Sequence, residues 1–139
     1  MITFFDTHIF VYAVDSAEPV KQQKALARIE DAREKGAVAL STQVLQEFFS
    51  IATRKLRPPL SPSEATSMVK HLCEFQVLGT DAGSILAACE LAKDHRLSLC
   101  DALVLEAALR SKADLLVSEV GQSGQKIGSM TIENPFLGT

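Results

Sequence analysis

Residues 1–15, MITFFDTHIFVYAVD, decide how the chain is read. Residues 1–5 are too few for a helix and read as a short buried strand. Asp6 and Thr7 end that strand with two polar side chains. The apolar run resumes over residues 9–14 and is closed by Asp15. A buried strand that stops on an acid and passes into a second apolar segment is the opening of an alternating strand–helix architecture.

Working outward, the alternation persists. Pro19 opens a helix to about Lys35, with Ala25, Ile29 and Ala32 at helical spacing, and Gly36 stops it. Residues 37–40 form a second strand, and Ser41 and Thr42 cap a helix that runs to about Arg54. Ser61, Pro62 and Glu64 make a capping-box signature for the next helix, which ends near Cys73. Residues 75–78 are a third strand, 81–95 a helix, and Ser98 with Asp101 a second capping box that opens a strongly apolar helix to about Lys112. Residues 115–117 form a fourth strand, 120–128 a Gly/Ser/Gln loop, and 130–132 a last edge strand. The pattern predicts an α/β domain with a mostly parallel central sheet of four to five strands, occupying residues 1–139 without a repeat, linker or second domain.

The bulk numbers suit that reading. The chain has 139 residues, 47% of them hydrophobic, and a formal net charge of −3. So small an acidic balance does not mark a nucleic-acid binder as a strongly basic domain would, but local basic patches can still hold phosphates. Cys73, Cys89 and Cys100 are an odd count with no CxxC pair and no histidine at zinc spacing, so reduced, mostly buried thiols are expected. The first residues lack a basic leader, and the apolar runs are too short to cross a membrane. A cytoplasmic protein is the expectation.

In an open parallel sheet, ligands bind beyond the C-terminal ends of the strands. There the chain places Asp6-Thr7-His8 after strand one, Ser41-Thr42 leading to Glu47 after strand two, and Ser118-Glu119 after strand four. The helix bearing Asp101 begins at the same edge. Converging carboxylates repel unless a cation neutralises them, and hard oxygen ligands select magnesium or manganese. Each acid also has a structural reading. Asp6 can cap the helical stretch that follows it. Glu47 shares a face with Gln43 and Arg54, the pattern of a solvated polar stripe. Asp101 has a place in a capping box. Glu106 lies about 140° round the helix from Asp101 and belongs elsewhere. His71 and His95 sit near helix ends, where the dipole favours them, and His8 beside Asp6 orients or packs. Arg54, Lys55 and Arg57 either compensate a helix terminus or contact phosphates of a strand passing the acidic rim. No GxGxxG follows strand one and no GxxxxGK[ST] occurs, so neither nucleotide fingerprint is present.

Three segments, FFDTHIFVYAVD, STQVLQEFFSIATRK and LSLCDALVLEAALRSKADLLVSE, with the tail GQKIGSMTIENPFL, together resemble the PIN-domain nucleases, most closely toxins of the VapC type from prokaryotic toxin–antitoxin pairs. The likeness spans nearly the whole chain in order. It implies a three-layer α/β/α domain that cleaves RNA phosphodiesters with magnesium or manganese. It implies a catalytic set of Asp6, Glu47 and Asp101, with Asp6 and Asp101 on the metal and Glu47 positioning or deprotonating the attacking water. Thr7, Ser118 and Glu119 fall into supporting places. Homodimers silenced by a small antitoxin protein are also implied.

The chain departs from the pattern twice. Where the family has Thr or Ser, one residue, then Asp, this chain has Ser118-Glu119-Val120, so the fourth acid is replaced by valine. Glu119 stands in only if the loop shifts by one residue. His8 replaces the usual asparagine, adding bulk and a pH-dependent charge. Val120 favours an alternative: a non-catalytic PIN-like scaffold that binds RNA or an antitoxin. A phosphoacceptor signalling domain would need adjacent acids after strand one, and Thr7 follows Asp6 instead.

Overall fold

The computed structural model describes residues 1–138. The elements run β1 (Ile2–Phe5), α1 (Thr7–Ala13), α2 (Pro19–Lys35), β2 (Ala37–Ser41), α3 (Thr42–Arg54), α4 (Pro62–Leu72), β3 (Gln76–Leu78), α5 (Ala82–His95), α6 (Leu99–Arg110), β4 (Leu115–Val117), β5 (Lys126–Ile127) and β6 (Met130–Glu133). The sheet order is β3-β2-β1-β4-β6-β5. Every pairing is parallel except β5 with β6. With helices on both faces, this is the three-layer α/β/α arrangement expected.

β1 lies at the centre because Phe4 and Phe5 bury completely and Thr3 almost so. Its backbone is paired on both edges, with Thr3 opposite Val38 on one side and Leu115 on the other. The chain winds outward from β1 through β2 to β3, then crosses back to place β4 on the other flank of β1. That reversal opens a crevice between the ends of β1 and β4, the place where open α/β sheets bind ligands. Gly36 makes the start of the β1–β2 pairing possible. A Cβ there would collide with the Met1 carbonyl, which accepts a hydrogen bond from the Ala37 amide at 3.0 Å.

Three expectations need correction. The sheet has six strands, because Lys126–Ile127, expected in a loop, folds back antiparallel on β6. β6 is therefore not an edge strand: it is flanked by β4 and β5. The cysteines are free but exposed, not buried. α5 fully buries only Ser84 and Ala88, packs Leu91 partly against the core, and turns Cys89 outward. The third concerns Asp101. Its amide donates to the Ser98 hydroxyl oxygen at 3.2 Å, but among the described residues the carboxylate returns no bond to the Ser98 amide. The Ser61/Glu64 box, by contrast, closes in both directions. No helix among the described residues is long and apolar enough to cross a membrane.

Candidate active site

The site is built where β1 hands over to α1. The Asp6 amide donates to the Val117 carbonyl at 3.1 Å, extending the β1–β4 pairing by one residue beyond Phe5. This fixes Asp6 in extended backbone as the N-cap of α1. One carboxylate oxygen accepts the Thr7 amide at 2.6 Å, and the other accepts the Ser118 hydroxyl at 2.7 Å. Ser118 is fully buried. Its amide donates to the Glu133 carbonyl, and its hydroxyl oxygen accepts the Val120 amide at 3.0 Å, which sets the loop after β4 against the Asp6 carboxylate.

Glu47 arrives from α3, whose first turn is capped by the Ser41 hydroxyl. Its Oε2 accepts the hydroxyl of Thr7 at 3.3 Å, and its Oε1 accepts the Gln43 amide at 2.7 Å. The same Gln43 nitrogen donates to the Cys100 carbonyl at 3.2 Å, in the first turn of α6 and next to Asp101. One polar chain thus runs Ser118–Asp6–Thr7–Glu47–Gln43–Cys100 and joins the starts of α1, α3 and α6. Gln43 was missed as a site residue. Its i, i+4 spacing to Glu47 was visible, but as a solvated stripe. In the fold both side chains are part-buried and engaged.

Electrostatics single out Asp6. Lost hydration pushes its carboxyl above the ordinary range, more than the bonds from Ser118 and Thr7 and the nearby His8 pull it down. The charge of Asp101 adds a smaller upward push, so the two acids lie within electrostatic reach of one another. Among the described residues none of Asp6, Glu47 and Asp101 forms an ion pair. Nor do three His, Cys, Asp or Glu side chains close into a metal cage. Carboxylates at one rim with the Thr7 and Ser118 hydroxyls beside them are a hard, oxygen-only donor set. That set suits an ion held by one or two carboxylates that keeps most of its water, as magnesium does, and not a zinc-type cage.

The remaining candidates divide. His8 is exposed at the rim. Glu119 is exposed and acts on Lys21 of α2, whose ammonium also meets the Tyr12 hydroxyl at 3.3 Å. It is not among the charges acting on Asp6. Val120 is half-buried, and its side chain has no atom that could bind a metal. Arg54 and Lys55 line a groove of about 460 Å³ along α3, together with Gln46, Glu47, Ser50 and Ile51. Arg57 instead donates to the carbonyls of Arg54 and Leu56 at the end of that helix. The basic run therefore splits into two groove residues and one terminus residue. Glu106 is buried and pairs with Arg110, away from Asp101 as its helical angle required.

Comparison with known proteins bears on the fold. The family model described as PIN domain matches residues 3–119. No curated protein is significantly similar in sequence. Among solved structures, a toxin–antitoxin complex from Klebsiella pneumoniae superposes with a TM-score of 0.67 at 17% identity, covering 96% of this chain and 98% of that one. VapBC2 from Rickettsia felis, bound to a DNA fragment from its promoter, gives 0.65 at 19% identity with the same coverage. The sarcin–ricin-loop-cleaving toxin VapC20 of Mycobacterium tuberculosis gives 0.60 at 15% identity, covering 82% and 86%. These likenesses share the fold, and with the family match over most of its length the chain belongs to the PIN-domain family.

Proposed function

We propose that this chain is a divalent-metal-dependent endoribonuclease of the VapC type, the toxin of a toxin–antitoxin pair. The observation that carries the reading is the hydrogen-bonded chain that brings Asp6, Glu47 and the start of the Asp101 helix together through neutral donors alone. Asp6 and Asp101 would hold magnesium or manganese. Such an ion supplies water of lowered pKa and neutralises charge building on the scissile phosphate. Glu47 takes the proton of the attacking water, whose oxygen bonds to phosphorus as the bond to the leaving oxygen breaks. Thr7 and Gln43 keep the Glu47 carboxylate turned to that task. Ser118 orients Asp6. Glu119 is assigned the outer rim beside Lys21. Arg54 and Lys55 take phosphates of the RNA along the α3 groove, and Arg57 supports them from the helix end.

RNA as substrate is favoured by the activity in the name of the Mycobacterium tuberculosis relative, and a small antitoxin as partner by the complexes from Klebsiella pneumoniae and Rickettsia felis. A homodimer in the cytoplasm completes the proposal. The test is manganese binding and manganese-dependent RNA cleavage by the wild type and Asp6→Asn. Loss of both in the variant supports the reading, and equal metal-dependent cleavage by the two overturns it.

Val120 supports a second reading, a PIN-like scaffold without catalysis. Restoring the acid separates them. Activity created from none by Val120→Asp identifies the scaffold. A wild type that already cleaves, and a variant that binds manganese several-fold more tightly, identifies the enzyme.

A further inference from the structure

Gln43 occupies a position that its helix alone does not explain. It is the second residue of α3, one turn before Glu47. Its amide nitrogen spends its hydrogens on two acceptors from different elements, the Glu47 carboxylate at 2.7 Å and the Cys100 carbonyl at 3.2 Å. Its carbonyl oxygen is completely buried and accepts no hydrogen bond from the described residues. The amide cannot be turned round to cure this. Reversal would set an oxygen against a carboxylate and a carbonyl, three acceptors with no proton among them. The orientation is therefore dictated by Glu47 and Cys100, and the price is an orphaned acceptor, of a kind native proteins rarely leave without a donor.

The two ends of this link matter because of what they carry. One is the acid of α3. The other is the residue immediately before Asp101 in the first turn of α6. A single neutral side chain thus spans the two helix starts and holds two like-charged groups at a set separation without adding charge. We infer that Gln43 is a positioning residue. It fixes Glu47 relative to Asp101, and its orphaned carbonyl receives a hydrogen bond from water that enters with the divalent ion. The inference rests on the metal-dependent reading above and adds to it a residue that binds neither metal nor phosphate.

The test replaces the amide by apolar side chains of similar reach, Gln43→Met and Gln43→Leu, with Asp6→Asn as control. Manganese affinity is read by the paramagnetic resonance of the free ion, which requires no turnover. Thermal unfolding without metal is measured in parallel. Outer partners of metal ligands typically matter by about 10–100-fold. The expected result is an affinity loss of about tenfold in both Gln43 variants, with kcat at saturating manganese reduced and KM for RNA little changed. Unfolding temperatures should stay close to the wild type. Wild-type manganese affinity in either folded Gln43 variant overturns the positioning role while Asp6→Asn still abolishes binding. Undiminished binding by Asp6→Asn overturns the metal reading itself, which keeps the two failures distinct. A Gln43 pair that loses stability but retains affinity assigns the side chain to folding alone, and that too overturns the inference.

Discussion

Glu133 and Asp6 end strands that flank β4 on either side, yet they are partnered in opposite ways. Glu133 receives the guanidinium of Arg28 on both oxygens, one at 3.3 Å, and Arg28 also reaches Asp31 at 3.4 Å. Asp6 receives a hydroxyl and an amide. The same contrast separates two part-buried helical glutamates. Glu106 is gripped by Arg110 at 2.9 and 3.2 Å, whereas Glu47 is held by Thr7 and Gln43. Away from the rim, the buried Glu106 and the half-buried Glu133 are neutralised by arginine from within the fold. At the rim the acids are oriented by neutral donors and left negative. A fold that supplies arginines to Glu133 and Glu106 but none to Asp6 leaves a charge deficit there, and a divalent ion is the physical remedy.

The contrast can be broken most severely at the two glutamates. Glu47→Gln is expected to cut RNA cleavage by about 10²–10⁴-fold, the usual worth of a positioned general base, with stability nearly unchanged. Glu106→Gln should leave cleavage intact and cost about 1 kcal/mol in denaturant unfolding. A Glu106 variant that loses cleavage, or a Glu47 variant that keeps it, would erase the distinction. Next in size is Arg28→Met, which strands Glu133 but leaves Asp31 paired with Lys35 at 3.0 Å, and should cost about 1–2 kcal/mol because Glu133 keeps some solvent. Its manganese affinity should match the wild type, since Arg28 touches none of the rim acids.

The smallest effect carries the opposite sign. Asp6 has its carboxyl raised chiefly by lost hydration, so without metal the folded state holds that proton more tightly than the unfolded chain does. Stability of the metal-free protein should therefore fall as pH rises from the ordinary carboxylate range through the raised value, and stay lowered above it. Asp6→Asn removes that penalty. At neutral pH its metal-free form should melt above the wild type, and the difference should vanish in acid below about pH 4. Protons compete for the same oxygens, so manganese affinity of the wild type should climb through the same window. Differential scanning and metal titration across pH check both slopes.

Most of the scaffold could be read from the residues because local and global signals agree. Phe4 and Phe5 make a strand that is buried on both faces, Gly36 and Ala37 a stop and a restart, and Ser61 with Glu64 a cap that closes as written. What was hidden depended on partners distant in the chain. Lys126 and Ile127 are strand only because Thr131 and Met130 pair with them. The cysteines read as buried because apolar runs surround them, whereas α5 packs through Ser84 and Ala88 and leaves Cys89 outside. Asp6 stood out because a strand ended on it. Gln43 did not, because its meaning comes from a carbonyl 57 positions away. The Asp101 capping role was legible in the spacing, yet half of it is forgone, and the charge of the carboxylate acts on Asp6.

The margins of the sheet have a consequence for assembly. β3 at one border has three residues and β5 at the other has two, one of them Lys126. Borders so brief, one of them studded with a lysine, offer little template for strand-to-strand recruitment of another polypeptide. Two copies that associate must therefore meet through helical surfaces, and crowding the molecules together should not seed fibrils from the native state.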